Sequence, residues 1–306
     1  MPPVSFDPKD LLARWSLGTA IKCEQRSQRA WYLETADGQG YYLKEHHDRQ
    51  VVAADPVLRH LAAHGIRVEV PRPTADGSLL AESEGRYFAL YDELPGDSLG
   101  SSNLQALPRS AHMLGAAIGQ LHRGLASCSE DLVARLPRAH LQMDVIDGAG
   151  VVQATIAHSK AAWLSPVVAE LSAALGDWTT RLPRHLVHND CHTGNIIFDD
   201  CGAAGFVDFD FLRTNLRIFD PCYCLAGLLV EGLDLNDQAP SWGALMHHLL
   251  AGYESICCLQ VAERTAITYV IWAALLINAG WWSNAGRPDL VGANLRALHW
   301  LTSNRS

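Results

Sequence analysis

Three polar side chains at fixed intervals carry the clearest chemical signal in this 306-residue chain. Asp190 stands in the run His188-Asn189-Asp190-Cys191-His192-Thr193-Gly194-Asn195, where Asn195 follows it by five residues. Asp208 lies thirteen further on, in Gly205-Phe206-Val207-Asp208-Phe209-Asp210. Phosphoryl transfer from Mg-ATP needs a carboxylate to receive a hydroxyl proton and oxygen ligands for the metal that neutralises the triphosphate. On that division Asp190 is the base, Asn195 and Asp208 are the metal ligands, and Asp210 is a further ligand or a supporting acid. Ile196-Ile197-Phe198 and Gly205-Phe206-Val207 read as two short strands around the polar turn Asp199-Asp200-Cys201-Gly202. Asp190 and Asn195 are therefore expected on a loop before one strand, and Asp208 at the end of the next.

The spacing H-x-D-x(4)-N, followed by D-F-D on the next strand, resembles the aminoglycoside phosphotransferase and choline kinase superfamily, homoserine-kinase-like members included. The resemblance covers most of the chain. It implies an α+β, two-lobed protein-kinase-like fold, with an antiparallel-sheet lobe over 1–94, a mostly helical lobe over 95–306 and nucleotide between them. ATP and Mg2+ are the implied cofactors. The implied acceptor is a hydroxyl on a small molecule: an aminoglycoside-like antibiotic, an amino alcohol, homoserine or a sugar.

Carried over residue by residue, the resemblance makes Lys44 the contact to the α- and β-phosphates, at the end of the strand Gly40–Lys44. The backbone of Asp92 and Leu94 becomes the hinge that reads adenine. Ser27, in the turn Glu24–Arg29, is a candidate phosphate contact, although that turn has no glycine and departs from the glycine-rich loop of protein kinases. The family's lysine partner is a glutamate on the following helix. Here the matching place holds Ala54 and Asp55, so Asp55 is the available acid. Asp220 is expected to cap a helix and brace the catalytic loop, and His122 to act as a hydrogen bonder on the core side of its helix.

The remaining elements follow from periodicity. Trp15–Cys23 and Ala30–Thr35 read as strands, with Asp37-Gly38 as a tight hairpin before Gly40–Lys44. Gln50–His64 reads as a helix with Val51, Val52, Leu58 and Leu61 on its apolar face, stopped by Gly65. Arg86–Tyr91 is another strand, Pro108–Ala126 and Trp163–Leu182 are helices, and the chain is helical from Cys222 onward. Residues 137–160, with Gly148 and Gly150, read as irregular. The uncharged run Thr265–Gly286 is interrupted at Thr268 and Asn278 and broken at Gly280, which makes it a buried helix rather than a membrane span.

Composition excludes several classes. The 24 Lys and Arg against 33 Asp and Glu give a net charge of −9, which argues against nucleic acid as a partner. Eight cysteines, several in apolar runs, fit reduced cytoplasmic usage, and Cys222-Tyr223-Cys224 has no second pair at zinc-site spacing. The negative charge, with Glu231, Asp234 and Asp237 close together, points to a cationic acceptor. A non-catalytic nucleotide-binding pseudokinase is the competing class, opposed by the joint presence of Asp190, Asn195, Asp208 and Lys44. A protein kinase is opposed by the missing glycine loop and activation segment.

Overall fold

In the computed structural model, which describes residues 7–46, 49–99, 107–155, 162–234 and 242–304, the chain divides into two compact units. One comprises Met1–Asp97 with Ile197–Asp210, the other Ser98–Ile196 with Phe211–Ser306. The hairpin that carries Asp208 therefore belongs to the first unit, and Asp190 and Asn195 belong to the second.

The first unit is built on strands β1 (Ala20–Ser27), β2 (Ala30–Thr35), β3 (Gly40–His46), β4 (Arg67–Val68), β5 (Ala81–Ser83), β6 (Arg86–Asp92) and β7 (Asp97–Ser98), with helix α1 (Gln50–Ala63) between β3 and β4. The strands β1-β2-β3-β6-β5 form one antiparallel sheet in that order. Burial alternates along β2 and β3, so Trp31, Leu33, Tyr41 and Leu43 point to one core with Phe88 and Leu90. Period two then puts Lys44 on the opposite face from Leu43. Trp15 departs from expectation. It closes a 3-10 helix over Pro8–Trp15 and buries its ring in this core, where its indole nitrogen donates to the Arg72 carbonyl at 2.9 Å. The first strand starts only at Ala20.

β4 pairs in parallel with β10 (Ala204–Phe206), which lies beside β9 (Ile196–Phe198). Parallel pairing brings the residues just past both strands to the same end. Glu69, directly after β4, donates its backbone N–H to the Phe206 carbonyl at 3.2 Å. Gly96 sits against β9 so closely that a Cβ there would lie 2.3 Å from the Phe198 oxygen, and its φ of +120° is one that other residues rarely adopt.

The second unit is helical: α2 (Leu107–Leu125), α3 (Glu130–Val133), α4 (Leu141–Thr155), α5 (Leu164–Arg181), α6 (Phe219–Asp234), α7 (Trp242–Glu254), α8 (Val261–Asn284) and α9 (Pro288–Ser303). Its small sheet pairs β8 (Arg184–Val187) with β11 (Arg213–Leu216). Within the segment 137–160 expected to be irregular, Leu141–Thr155 forms α4, and α8 runs unbroken through Gly280. The two glycines meet where these helices cross. A Cβ on Gly280 would lie 2.6 Å from the Gly148 Cα, so two glycines let α4 and α8 approach backbone to backbone. α8 is long and apolar enough to cross a membrane by length and composition, but most of its apolar window is buried inside the unit.

Candidate active site

Lys44 leaves the sheet on its polar face and meets an acid that sequence did not point to. Its Nζ lies 2.8 Å from both carboxylate oxygens of Glu69. Glu69 Oε1 also accepts the Asp208 backbone N–H at 2.6 Å. Asp208 has a φ of +67°, a left-handed conformation that Asp tolerates better than most residues, and the Glu69 contact holds it there. Burial disfavours the Lys44 ammonium, but Glu69, then Asp208 and Asp210, outweigh it and hold its pKa above the ordinary value. Asp210 lies in a 3-10 turn, 3.1 Å from His46 Nδ1, and the far nitrogen of His46 pairs with the Tyr91 hydroxyl at 3.1 Å.

Asp55 is not the lysine partner. It sits inside α1 and binds Arg59 one turn on, at 2.9 Å. Glu69 takes its expected place because the β4–β10 pairing delivers it beside Lys44. The only hint in the sequence is an acid between two valines, Val68-Glu69-Val70, a polar residue where an extended apolar run would bury it.

In the second unit the loop after β8 is held by Asp220, fully buried in the first turn of α6. Its carboxylate accepts the backbone N–H groups of His188 and Asn189, each at 2.8 Å, and faces His122 Nε2 at 2.9 Å. His122 Nδ1 reaches the Tyr253 hydroxyl at 2.9 Å, so His122 is a core hydrogen bonder, as expected. Burial pushes the Asp220 carboxyl up, and the hydrogen bond and charge of His122, with the His188 and Asn189 contacts, bring it below its usual range. Asn189 takes φ of +68°, and Asn215 Nδ2 donates to its side-chain oxygen at 2.9 Å. The loop is thus braced from behind and presents Asp190 outward.

Both oxygens of Asp190 are engaged. Oδ1 accepts the Tyr223 hydroxyl at 2.6 Å, and Oδ2 accepts Asn195 Nδ2 at 3.2 Å. Asn195 Nδ2 also donates to the Asp190 carbonyl at 2.9 Å, which fixes the amide orientation and turns Oδ1 of Asn195 away as an acceptor. That oxygen and the Asp208 carboxylate take no hydrogen bond from any described residue, so both donor groups suit a hard cation. Among the described residues no three His, Cys, Asp or Glu side chains group to hold a metal alone. A cation at either group would complete its shell with water and phosphate oxygens.

Asp190 opens onto a cavity of about 240 Å³ within the second unit. Phe219, Tyr223, Ile277, Asn278, Trp281 and Trp282 are among its walls. The two tryptophans pack edge to face with centroids 4.4 Å apart. Glu231 is not part of this cavity. Burial raises its carboxyl pKa, and one of its oxygens has no hydrogen-bond partner among the described residues. Asp237 and the Asp234 side chain lie outside the described residues.

The remaining expected contacts are placed as follows. Ser27 ends β1 at the hairpin tip, where its hydroxyl accepts the Arg29 N–H at 3.3 Å. Asp92 ends β6 and its carboxylate binds Arg72 at 2.6 Å, with Leu94 two residues on, packed near Gly205.

A kinase-like α+β architecture that carries a braced His-x-Asp loop and a buried Lys–Glu pair defines a class of phosphotransferase. A model of the phosphotransferase enzyme family matches residues 21–261, and the chain belongs to that family. Within it the chain is a kinase of small-molecule hydroxyl groups. It is 27% identical over 279 residues to homoserine kinase of Azorhizobium caulinodans, covering 87% of this chain and 81% of that protein. A solved structure of amicoumacin kinase in complex with AMP-PNP and Ca2+ matches with a TM-score of 0.74 at 19% identity, over 98% of this chain and 94% of that one. The microcompartment-associated aminopropanol kinase matches with a TM-score of 0.70 at 16% identity, over 96% and 97%.

Proposed function

We propose that this enzyme transfers the γ-phosphoryl group of ATP to the hydroxyl of a small amino alcohol or hydroxy amino acid the size of homoserine. The observation that carries the reading is the cavity of about 240 Å³ that ends on Asp190. Pockets for drug-sized ligands run from about 300 to 1,000 Å³, so this one suits a few heavy atoms better than a multi-ring antibiotic. The likeness to homoserine kinase and the fold shared with an aminopropanol kinase support the same size class.

Asp190 orients the acceptor hydroxyl and takes its proton as the oxygen bonds to phosphorus and ADP leaves. Lys44, held by Glu69, contacts the phosphates, with Ser27 a further contact. The backbone of Asp92 and Leu94 receives the adenine edge. Asn195 and Asp208 are the magnesium ligands, and Asp210, already bound to His46, is a supporting acid. Magnesium, when bound, neutralises charge on the phosphates. With Glu231 away from the cavity, an acceptor ammonium would be drawn by Asp190 and the aromatic faces of Trp281 and Trp282.

The test is ADP release with homoserine, aminopropanol and an aminoglycoside as acceptors, in the unaltered enzyme and in Asp190→Asn. The expected result is the highest kcat/KM for the first two, and a loss of about 10²- to 10⁴-fold in the variant. Preference for the aminoglycoside would overturn the size argument, and an undiminished variant would overturn the role of Asp190.

A further inference from the structure

We infer that Tyr223 is a positioning residue for the transfer step: its hydroxyl fixes the Asp190 carboxylate in the orientation that receives the acceptor proton. The inference rests on the proposed role of Asp190.

Tyr223 stands three residues after Asp220 on α6, so the two side chains leave the same face of that helix. Asp220 fixes the backbone of the catalytic loop through His188 and Asn189. Tyr223 fixes the side chain that the loop presents, through the 2.6 Å bond to Asp190 Oδ1. One helix therefore sets both the height of the loop and the rotation of its carboxylate. Asn195 holds the second oxygen from the other side. With a donor on each oxygen, the carboxylate plane is set before any acceptor arrives, which is the kind of preorganisation that matters when reacting atoms must meet within about 3–3.5 Å.

The direction of the phenol proton is also set. The Asp190 carboxylate can only accept, so the phenol proton points to it. Burial first, then the Asp190 charge and its hydrogen bond, keep the phenol protonated far above neutral pH. Tyr223 therefore acts only as a donor and does not compete with Asp190 for the acceptor proton. The ring forms part of the acceptor cavity, so loss of the hydroxyl and loss of the ring have separable consequences.

The experiment compares Tyr223→Phe and Tyr223→Leu with the unaltered enzyme, and repeats Tyr223→Phe in an Asp190→Asn background. Tyr223→Phe keeps the cavity wall and removes one charge-assisted hydrogen bond. Its kcat should fall roughly 10- to 100-fold, while acceptor KM and nucleotide KM stay within about twofold. Tyr223→Leu should raise acceptor KM as well. In the Asp190→Asn background the hydroxyl should no longer matter, so the double variant should match Asp190→Asn alone. Tyr223→Leu, which also lacks the hydroxyl, should lower kcat to a similar extent even if Tyr223→Phe fails to fold. Unchanged kcat in Tyr223→Phe or Tyr223→Leu, a rise in acceptor KM alone, or additive losses in the double variant would each overturn the inference. Asp190→Asn by itself reports on the base, so an active Asp190→Asn removes both readings while an inactive one isolates the tyrosine.

Discussion

Glu69 binds Lys44 through both carboxylate oxygens at 2.8 Å, and through one of them it also anchors the Asp208 amide. A single acid thus ties Lys44 to the backbone of the strand-end aspartate. Any displacement of Glu69 disturbs both at once.

Glu69→Gln should lower kcat/KM for nucleotide roughly 10- to 100-fold, because a neutral amide accepts only part of what the carboxylate does and leaves a buried ammonium uncompensated. Asp55→Asn should stay within about twofold, since Asp55 binds Arg59 and not Lys44. Steady-state kinetics with varied nucleotide check both variants. A larger defect in Asp55→Asn would reverse the assignment.

Asp208→Asn isolates charge from shape, because asparagine also tolerates the left-handed backbone that φ of +67° requires. Turnover at saturating magnesium should fall roughly 10²- to 10³-fold, and the activating magnesium concentration should rise. Nucleotide binding measured calorimetrically without magnesium should be unaltered. A magnesium titration that overlays the unaltered enzyme would remove Asp208 from the metal site.

The reach of the sequence ends where contacts become non-local. Asp190, Asn195, Asp208 and the strands beside them lie within one short stretch, where alternation and turn residues are sufficient evidence. The strand that Lys44 ends is legible for the same reason, while the role expected of Lys44 came from the family resemblance. Glu69 is not, because its place depends on the parallel pairing of Arg67 and Val68 with Gly205 and Phe206, 138 residues away in the chain. Tyr223 was hidden too, since helical periodicity does not say which loop a helix faces. Gly148 and Gly280 misled in the opposite direction: each weakens a helix locally, and together they make the crossing that keeps two helices intact.

His185 supplies a pH signature of the folded second unit. Burial, then the neighbouring charge of His122, pushes its pKa down to about 3, from an ordinary value of 6.5. A histidine depressed on folding binds fewer protons than the unfolded chain, so its stabilisation is complete above about pH 6.5 and is lost as pH falls toward 3. The contribution at stake is on the order of 3–5 kcal/mol. Urea midpoints should therefore decline from about pH 6.5 downward, and His185→Phe should flatten that decline. An equally steep acid limb in the variant would assign the effect to the carboxylates alone.

The last prediction concerns the crossing of α4 and α8. A Cβ at Gly280 would approach the Gly148 Cα at 2.6 Å and its carbonyl oxygen at 3.0 Å, both backbone atoms that cannot rotate away. Helix propensity alone favours Gly280→Ala by roughly 0.5–1 kcal/mol. The steric cost opposes it, and overpacking of a filled interface typically amounts to about 1–3 kcal/mol. The clash should prevail, so the unfolding midpoint should drop by several degrees. Gly150 makes the control, because nothing lies within 4 Å of a Cβ built there. Gly150→Ala should be neutral or stabilising, since it gains propensity without a clash. Since α8 also carries Ile277, Asn278, Trp281 and Trp282 to the cavity proposed for the acceptor, Gly280→Ala should raise acceptor KM more than nucleotide KM. A Gly280→Ala protein as stable as Gly150→Ala would mean that the two helices can separate without cost.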